Sequence, residues 1–269
     1  MVFKGKGIVY LILLLSVSFG ISCRKKVTPT DYTVLSIDKK NYTYNTDFYH
    51  MSIEYPQEIW DYEHEMQQYA ENVVAFYKRD WSPGGMHYEK EMSFRNVNEE
   101  KEYPKFELYI RYQSFNSTAQ NTHSYLFSSY VTTGGANGTT HVAAFNFNQG
   151  GHMEYHEVFA MNSEQEISLS RLLAEQVKDS AGVFDYETVR EGLGLKFISA
   201  TDSSLDSLSM KRRDFNFRSN FNAFVIADTG IRFHFDKYTL ASGASGTTSI
   251  FLNWEQLKPF LGTKYSFKE

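Results

Sequence analysis

The strongest constraint in this 269-residue chain is the stretch from Tyr125 to Phe147, where two runs of aromatic and β-branched residues flank Thr132-Thr-Gly-Gly-Ala-Asn-Gly138. Glycine and asparagine accept the positive φ of a tight reversal, so the pattern predicts a β-hairpin. Gly134, Gly135 and Gly138 are its structural turn residues, and Asn137 stands at the tip. A hairpin of this length builds an antiparallel sheet around itself, and the remaining periodicities have to be compatible with one.

They are. Tyr49, Met51, Ile53 and Tyr55 alternate with Phe48, His50, Ser52 and Glu54 as a strand, which Pro56 ends. Ile59, Tyr62, Met66, Tyr69, Val73 and Tyr77 then recur at three- and four-residue steps, which predicts a helix from about Glu58 to Asp80 with one apolar stripe. Lys78 and Arg79 suit the negative end of its dipole, and Ser82-Pro-Gly-Gly85 stops it. Residues 86–105 are charged and weakly periodic and read as a long connection between two halves. Phe106, Leu108, Ile110 and Tyr112 mark a half-buried strand feeding the hairpin.

Past Gly150-Gly151 the pattern gives a strand from His152 to Phe159, then a helix from Leu169 to Lys178 capped by Ser168. A further helix starts at Asp185 with Tyr186, Val189, Leu193 and Phe197 on one face, weakened by Gly192 and Gly194 at about 1 kcal/mol each relative to Ala. The polar run 200–213 reads as a loop. A second hairpin joins Asn222-Ala-Phe-Val-Ile226 to Ile231-Arg-Phe-His-Phe235 through a turn ending at Gly230, and a last strand, Thr248 to Leu252, leads into a short helix at Trp254 to Phe260. Helices mixed with hairpin-paired strands indicate an α+β fold of antiparallel sheets with packed helices, in two subdomains, residues 32–100 and 101–269.

The N-terminus speaks to location. Lys4 and Lys6 precede the apolar run from Ile8 to Leu15 and the small-residue segment ending at Ser22, the order of an export signal. Its uncharged stretch, residues 8–22, is shorter than the roughly 20 residues of a spanning helix. Cys23 is the sole cysteine, so no internal disulfide is open to it, and it stands where bacterial lipoproteins are lipidated. Gly20-Ile-Ser-Cys23 is similar to a lipobox without the usual Leu three residues before the cysteine. The expected arrangement is a signal peptide over 1–22, lipid attachment at Cys23, a tether over 23–31, and an exported protein anchored by that lipid in the bacterial envelope, on the periplasmic side or at the outer membrane.

Removing residues 1–22 takes away two lysines and no acid, which moves the formal net charge from −5 to −7. An acidic chain without a concentrated basic face repels nucleic acid, which argues against it as a partner. Packing alone has to hold the fold, and the supply of rings is large, 22 Phe and 19 Tyr.

A family resemblance is carried by Tyr130-Val-Thr-Thr-Gly-Gly-Ala-Asn-Gly-Thr139, by Phe145-Asn-Phe147, by Ser168-Leu-Ser-Arg-Leu-Leu173 and by Ile226-Ala-Asp-Thr-Gly-Ile-Arg-Phe-His-Phe-Asp-Lys-Tyr238. Together they resemble the C-terminal domain of RsiV-type, lysozyme-sensing anti-sigma factors. Tyr42-Thr-Tyr44 through Ile53-Glu-Tyr-Pro56 is similar to the smaller domain that precedes it there and in PdaC-type peptidoglycan deacetylases. In the family the turn reads Gly-Gly-Ala-His-Gly, and Asn137 stands here in place of the His. No sigma-binding segment, spanning helix or deacetylase domain accompanies the match. The resemblance therefore implies an envelope domain that binds a protein or a glycan, with no inherited activity. It directs attention to Tyr130, Asn137, Asp228 and Tyr238 as ligand-binding residues on loops held by a sheet, with Gly230 and Gly243 as turn residues.

No motif names a reaction. His64 lacks a second His at i+4, and His152 and His156, on one face of the expected strand, stand about 13 Å apart, too far to share a metal. Gly243-Ala-Ser-Gly246 misses the nucleophile-elbow pattern because position 247 is Thr, which leaves Ser245 as a turn residue. Gly192-Leu-Gly-Leu-Lys-Phe197 lacks the third glycine of a dinucleotide loop. No cofactor and no metal are expected. Two functions stay open: a non-catalytic binding module for a lysozyme-like protein or a glycan, and a hydrolase or transferase acting on peptidoglycan or another envelope glycan.

Overall fold

A computed structural model describes residues 33–35, 39–57, 63–97, 105–132, 137–178, 184–197 and 215–268. The signal segment, Cys23, the tether, Gly134 and Gly135, and the polar loop 200–213 lie outside these residues. Seven strands make one sheet: β1 (Thr33–Leu35), β2 (Lys39–Asn45), β3 (Tyr49–Pro56), β4 (Phe106–Ser117), β5 (Thr122–Thr132), β6 (Thr139–Asn148) and β7 (Gly151–His152). Their order is β2-β3-β4-β5-β6-β7, with β1 paired to the far end of β4. The expected hairpin is the β5–β6 pair, running from His123 opposite Phe147 to Val131 opposite Thr139.

All neighbouring pairs are antiparallel except β3 and β4, which pair in parallel from Tyr49 opposite Phe106 to Ile53 opposite Ile110. Parallel neighbours need a crossover, and it is helical: α1 (Glu63–Asp80) and α2 (Met86–Val97). The expected connection over 86–105 is thus a helix for most of its length. Its Glu, Lys, Met and Arg are good helix formers, but little of it packs on the sheet, so it lacks the apolar stripe that reveals a helix in sequence. Residues 98–104, which hold the expected subdomain boundary, lie outside the described residues.

On α1 the buried row is Met66, Ala70 and Val74, continued by Trp81 in the turn that follows the helix, with Tyr69, Val73 and Tyr77 half-buried along its flank. The stripe is rotated from the predicted one toward the small Ala70, which lets the helix sit close on the sheet. Beneath it lie Met51, Ile53, Phe106, Leu108, Ile110, Phe127 and Phe147.

The C-terminal part covers the opposite sheet face. It consists of α3 (Tyr155–Val158), α4 (Ser163–Val177), α5 (Tyr186–Gly192), a three-stranded antiparallel sheet of β8 (Phe224–Ile226), β9 (Gly230–Phe235) and β10 (Thr248–Asn253), and α6 (Trp254–Leu257). The predicted strand from His152 to Phe159 is the last residue of β7 and then α3, where the Glu157 carboxylate accepts from the Glu154 N–H at 3.4 Å across the first turn of the helix. Helix α4 starts five residues before the predicted Ser168 cap. Asn162 accepts from the Gln165 N–H and Gln165 caps back, while Ser168 lies inside the helix and donates to the Glu164 carbonyl. The helix expected from Asp185 is α5, with Asp185 as its cap, accepting from the Thr188 N–H, but it ends at Gly192 rather than running through Phe197. A Cβ on Gly192 would lie 1.8 Å from the Thr239 carbonyl oxygen, so this glycine serves a backbone contact.

Edge strand β8 docks on the face of the large sheet through a buried polar pair. Ser124 Oγ accepts from the Ile226 N–H at 3.3 Å and donates to Asn146 Oδ1 at 2.6 Å, and Asn146 Nδ2 donates to the Phe224 carbonyl at 2.9 Å. Two backbone groups that would otherwise be buried unpaired are satisfied this way.

Candidate functional site

Helix α1 packs on its sheet face and leaves a groove on either side. The first, about 270 Å³, lies between α1 and edge strand β2, just below the usual size range of ligand sites. Tyr42, Tyr44, Ile53 and Tyr55 come from the sheet because β2 and β3 pair Tyr42 with Ile53 and Tyr44 with Met51, so all face the helix. Ala70, Glu71, Val74, Ala75 and Lys78 form the other wall. The small Ala70 and Ala75 keep the groove open, and β2, lying beyond the helix, leaves Tyr42 45 % and Tyr44 37 % exposed. Tyr42 stacks on buried Tyr55 at 5.6 Å and 11°, their hydroxyls 3.0 Å apart. The Lys78 ammonium sits 3.5 Å from the Tyr44 ring centre, a close cation–π contact. Glu71 accepts from Gln67 at 2.7 Å. The groove therefore offers aromatic faces with phenol, carboxylate and ammonium groups at their edges.

The second groove, about 340 Å³, lies between α1 and the β5–β6 hairpin and is lined by Tyr69, Asn72, Val73, Phe76, Tyr77, Ser129 and His141. Ser129 and His141 are cross-strand partners. The segment after β9 runs along the outer edge of β6: the Lys237 N–H donates to the Thr140 carbonyl, and Asp236 Oδ1 accepts from the Val142 N–H at 2.7 Å. That placement sets Asp236 Oδ2 2.7 Å from His141 Nδ1. The hydrogen bond raises the His141 pKa against the opposing effect of partial burial. Burial raises that of Tyr69, whose hydroxyl is 3.3 Å from Ser129 Oγ.

The residues singled out from sequence divide between the two ends of the sheet. Asn137 is exposed at the hairpin tip. Tyr130, on the opposite face of β5 from Ser129, lies against Gly138, where an added Cβ would come within 2.4 Å of its ring. Lys237 Nζ donates to the Gly138 carbonyl at 2.8 Å. Tyr238 is half-exposed with φ +74 and covers Gly243, with Lys237 Nζ 4.8 Å from its ring centre. Tyr130, Asn137 and Tyr238 thus belong to one end.

Asp228 belongs to the other. Its Oδ1 accepts from Ser117 Oγ at 2.7 Å and the Ala119 N–H at 2.9 Å, and its carbonyl accepts from Gln120 and Trp254 at 2.8 Å each. Ser117, Ala119 and Gln120 sit around the β4–β5 turn, and the length of β5, roughly 30 Å at about 3.3 Å per residue, separates them from Asn137. Asp228 and Asn137 therefore do not form one recognition surface, and the Asp228 carboxylate serves as a clasp. Gly138, Gly230 and Gly243 all have ordinary φ. They are glycine because of close approaches, with Gly230 facing the Leu252 carbonyl at 2.1 Å from a would-be Cβ.

His152 and His156 are parted by the start of α3 and pair with different acids, Glu65 and Glu154. Among the described residues no three His, Cys, Asp or Glu side chains are placed to hold a metal ion, and no helix is long and apolar enough to cross a membrane. The Tyr-x-Tyr alternation of β2 could have flagged the first groove, and the symmetric register of the hairpin could have paired Ser129 with His141. No local signal points to Asp236.

The fold and its grooves define an α+β protein with a helical crossover on one face of a mostly antiparallel sheet and a second α+β layer on the other. Residues 156–255 match the family model described as "Protein of unknown function (DUF3298)". The fold is similar to that of a DUF3298 family member from Bacteroides fragilis NCTC 9343, with a TM-score of 0.52 and 14 % identity over 87 % of this chain and 96 % of that one. A DUF3298 family protein from Pseudomonas aeruginosa PAO1 aligns over 90 % of this chain and 99 % of its own, at a TM-score of 0.47 and 13 % identity. No curated protein matches the chain. The DUF3298 match spans Asp228, Asp236 and Tyr238 and excludes the first groove.

Proposed function

We propose that this chain is a binding module of the cell envelope, tethered by lipid on Cys23, that captures a saccharide in the groove between β2 and α1 without reacting it there. The observation that carries this reading is the pair of half-exposed tyrosines, Tyr42 and Tyr44, flanking an open groove with Glu71 and Lys78 at its edge. A sugar ring is amphipathic in a matching way: its C–H face packs on an aromatic ring while its hydroxyls reach phenol, carboxylate and ammonium groups. The RsiV resemblance supports an envelope ligand in general, and a lysozyme-like protein is the other ligand to test. The position of Cys23 after a signal-like segment supports the tether.

The test is capture by the immobilised chain from residue 24 onward, against soluble peptidoglycan fragments and against lysozyme. Binding of the fragments should weaken about 10- to 100-fold in a Tyr42→Ala, Tyr44→Ala double variant, from about 0.5–1.5 kcal/mol per aromatic contact. Capture of lysozyme alone, undiminished in that variant, would move the binding surface away from the groove. Capture of neither removes the binding reading.

A further inference from the structure

The second groove carries a feature that ligand capture does not use. We propose that Ser129, His141 and Asp236 form a nucleophilic acyl-transfer site that hydrolyses short acyl esters in the groove between α1 and the β5–β6 hairpin.

The placement comes from the sheet. Ser129 on β5 and His141 on β6 are directly opposed on the helix-facing side, and Asp236 lies beyond β6, so the three follow one another across the sheet as nucleophile, base and orienting carboxylate. Cross-strand partners have Cβ atoms about 4.5–5.5 Å apart, within reach of an Oγ–Nε2 hydrogen bond through side-chain rotation alone. Asp236 Oδ2, 2.7 Å from His141 Nδ1, holds the tautomer with the proton on Nδ1 and leaves Nε2 as the acceptor a general base needs. Asp236 is itself fixed by the Val142 N–H.

Ser129 is 3 % exposed at the groove floor, and its hydroxyl contacts Tyr69 at 3.3 Å. That is long for an O–H···O bond, whose usual length is about 2.7–2.8 Å, so the contact gives way readily to His141. In unliganded sites such catalytic bonds are often long or unformed. Burial keeps the Tyr69 phenol protonated, which makes it the donor at hand for a developing oxyanion. Val73 and the 55 % exposed Phe76 give the entrance an apolar wall suited to a short acyl chain.

The chemistry balances without a cofactor. Ser129 Oγ adds to the ester carbonyl carbon as its proton passes to His141 Nε2, and the carbonyl electron pair moves onto oxygen beside Tyr69. Collapse restores the carbonyl and breaks the bond to the alkoxy oxygen, which leaves as an alcohol carrying the proton from His141. Water then attacks the acyl-serine, giving one proton to His141, and Ser129 departs with it, so ester and water become acid and alcohol.

The experiment is labelling of the full detergent-solubilised chain with a fluorophosphonate probe, mapped by peptide mass spectrometry, beside hydrolysis of p-nitrophenyl acetate. Expected is modification of Ser129, its loss in Ser129→Ala, and labelling slowed about 10²- to 10⁴-fold in His141→Asn, the range for removal of a general base. Tyr69→Phe should keep the labelled serine but lower hydrolysis, and Asp236→Asn should slow both while thermal unfolding shows a folded protein. No adduct on Ser129 in the folded wild-type chain, or equal labelling rates in wild type and His141→Asn, overturns the proposal.

Discussion

Asp228→Ala removes a single carboxylate that two parts of the fold share. Oδ1 accepts from Ser117 Oγ and from the Ala119 N–H, and Ser117 is fully buried, so the substitution leaves a buried hydroxyl and a backbone donor without their acceptor. Hydrogen bonds to a charged group contribute about 1.5–3 kcal/mol each, and neighbouring bonds are not additive. A loss of about 2–4 kcal/mol is expected, which for a chain of this size lowers Tm by roughly 5–15 °C. The Asp228 carbonyl bonds to Gln120 and Trp254 persist in the variant, so the turn should loosen without unravelling. Thermal unfolding of Asp228→Ala, Asp228→Asn and Glu191→Ala separates the explanations. Asn keeps an acceptor at Oδ1 and should recover half or more of the loss, and Glu191, an exposed partner of Lys196, should cost under about 1 kcal/mol. If Asp228→Ala unfolds within a degree or two of wild type, or if Asn is as damaging as Ala, the clasp does not hold the β4–β5 turn to the C-terminal layer.

Met66→Asp should cost several kcal/mol because it places an unpaired charge in the core, whereas Val73→Asp, on the flank of α1, should cost far less; urea unfolding of the two variants checks the difference. Gly192→Ala, stabilising by about 1 kcal/mol on helix propensity alone, should instead destabilise by about 1–3 kcal/mol, because its Cβ would strike the Thr239 carbonyl. Burial, with Arg232 alongside, holds the His234 imidazole down at about 4. The unfolded chain takes up that proton near pH 6.5, so the contribution is full above about pH 6.5 and is lost as pH falls toward about 4, by about 3 kcal/mol in all. His234→Gln should flatten that part of the stability profile. Cys23→Ser should move the protein out of the membrane fraction, and retention equal to wild type would contradict lipid attachment.

The elements whose signal is local were legible in the sequence. Both hairpins follow from turn residues flanked by alternating rings, and α1 from apolar spacing with a Pro-Gly-Gly stop. The start of α5 follows from the apolar spacing of Tyr186, Val189 and Leu193. These depend on φ preferences and periodicities that operate within a few residues, so a single chain reveals them. The α+β class follows from how such elements alternate.

Tertiary structure decided the rest. Helix α2 has no apolar stripe to announce it and exists because a parallel neighbour for β3 demands a crossover. Glycines that read as turn-formers at 138, 230 and 243 are small because a ring or a carbonyl presses on them. Asn137 and Asp228, joined in sequence reasoning by their loops, lie at opposite ends of β5. Conversely His141 and Asp236, 95 positions apart, meet because the chain after β9 needs hydrogen-bond partners and the open edge of β6 supplies them. Contacts of that kind are set by which backbone groups remain unpaired once the sheets have formed, a property of the assembled fold that no window of sequence contains.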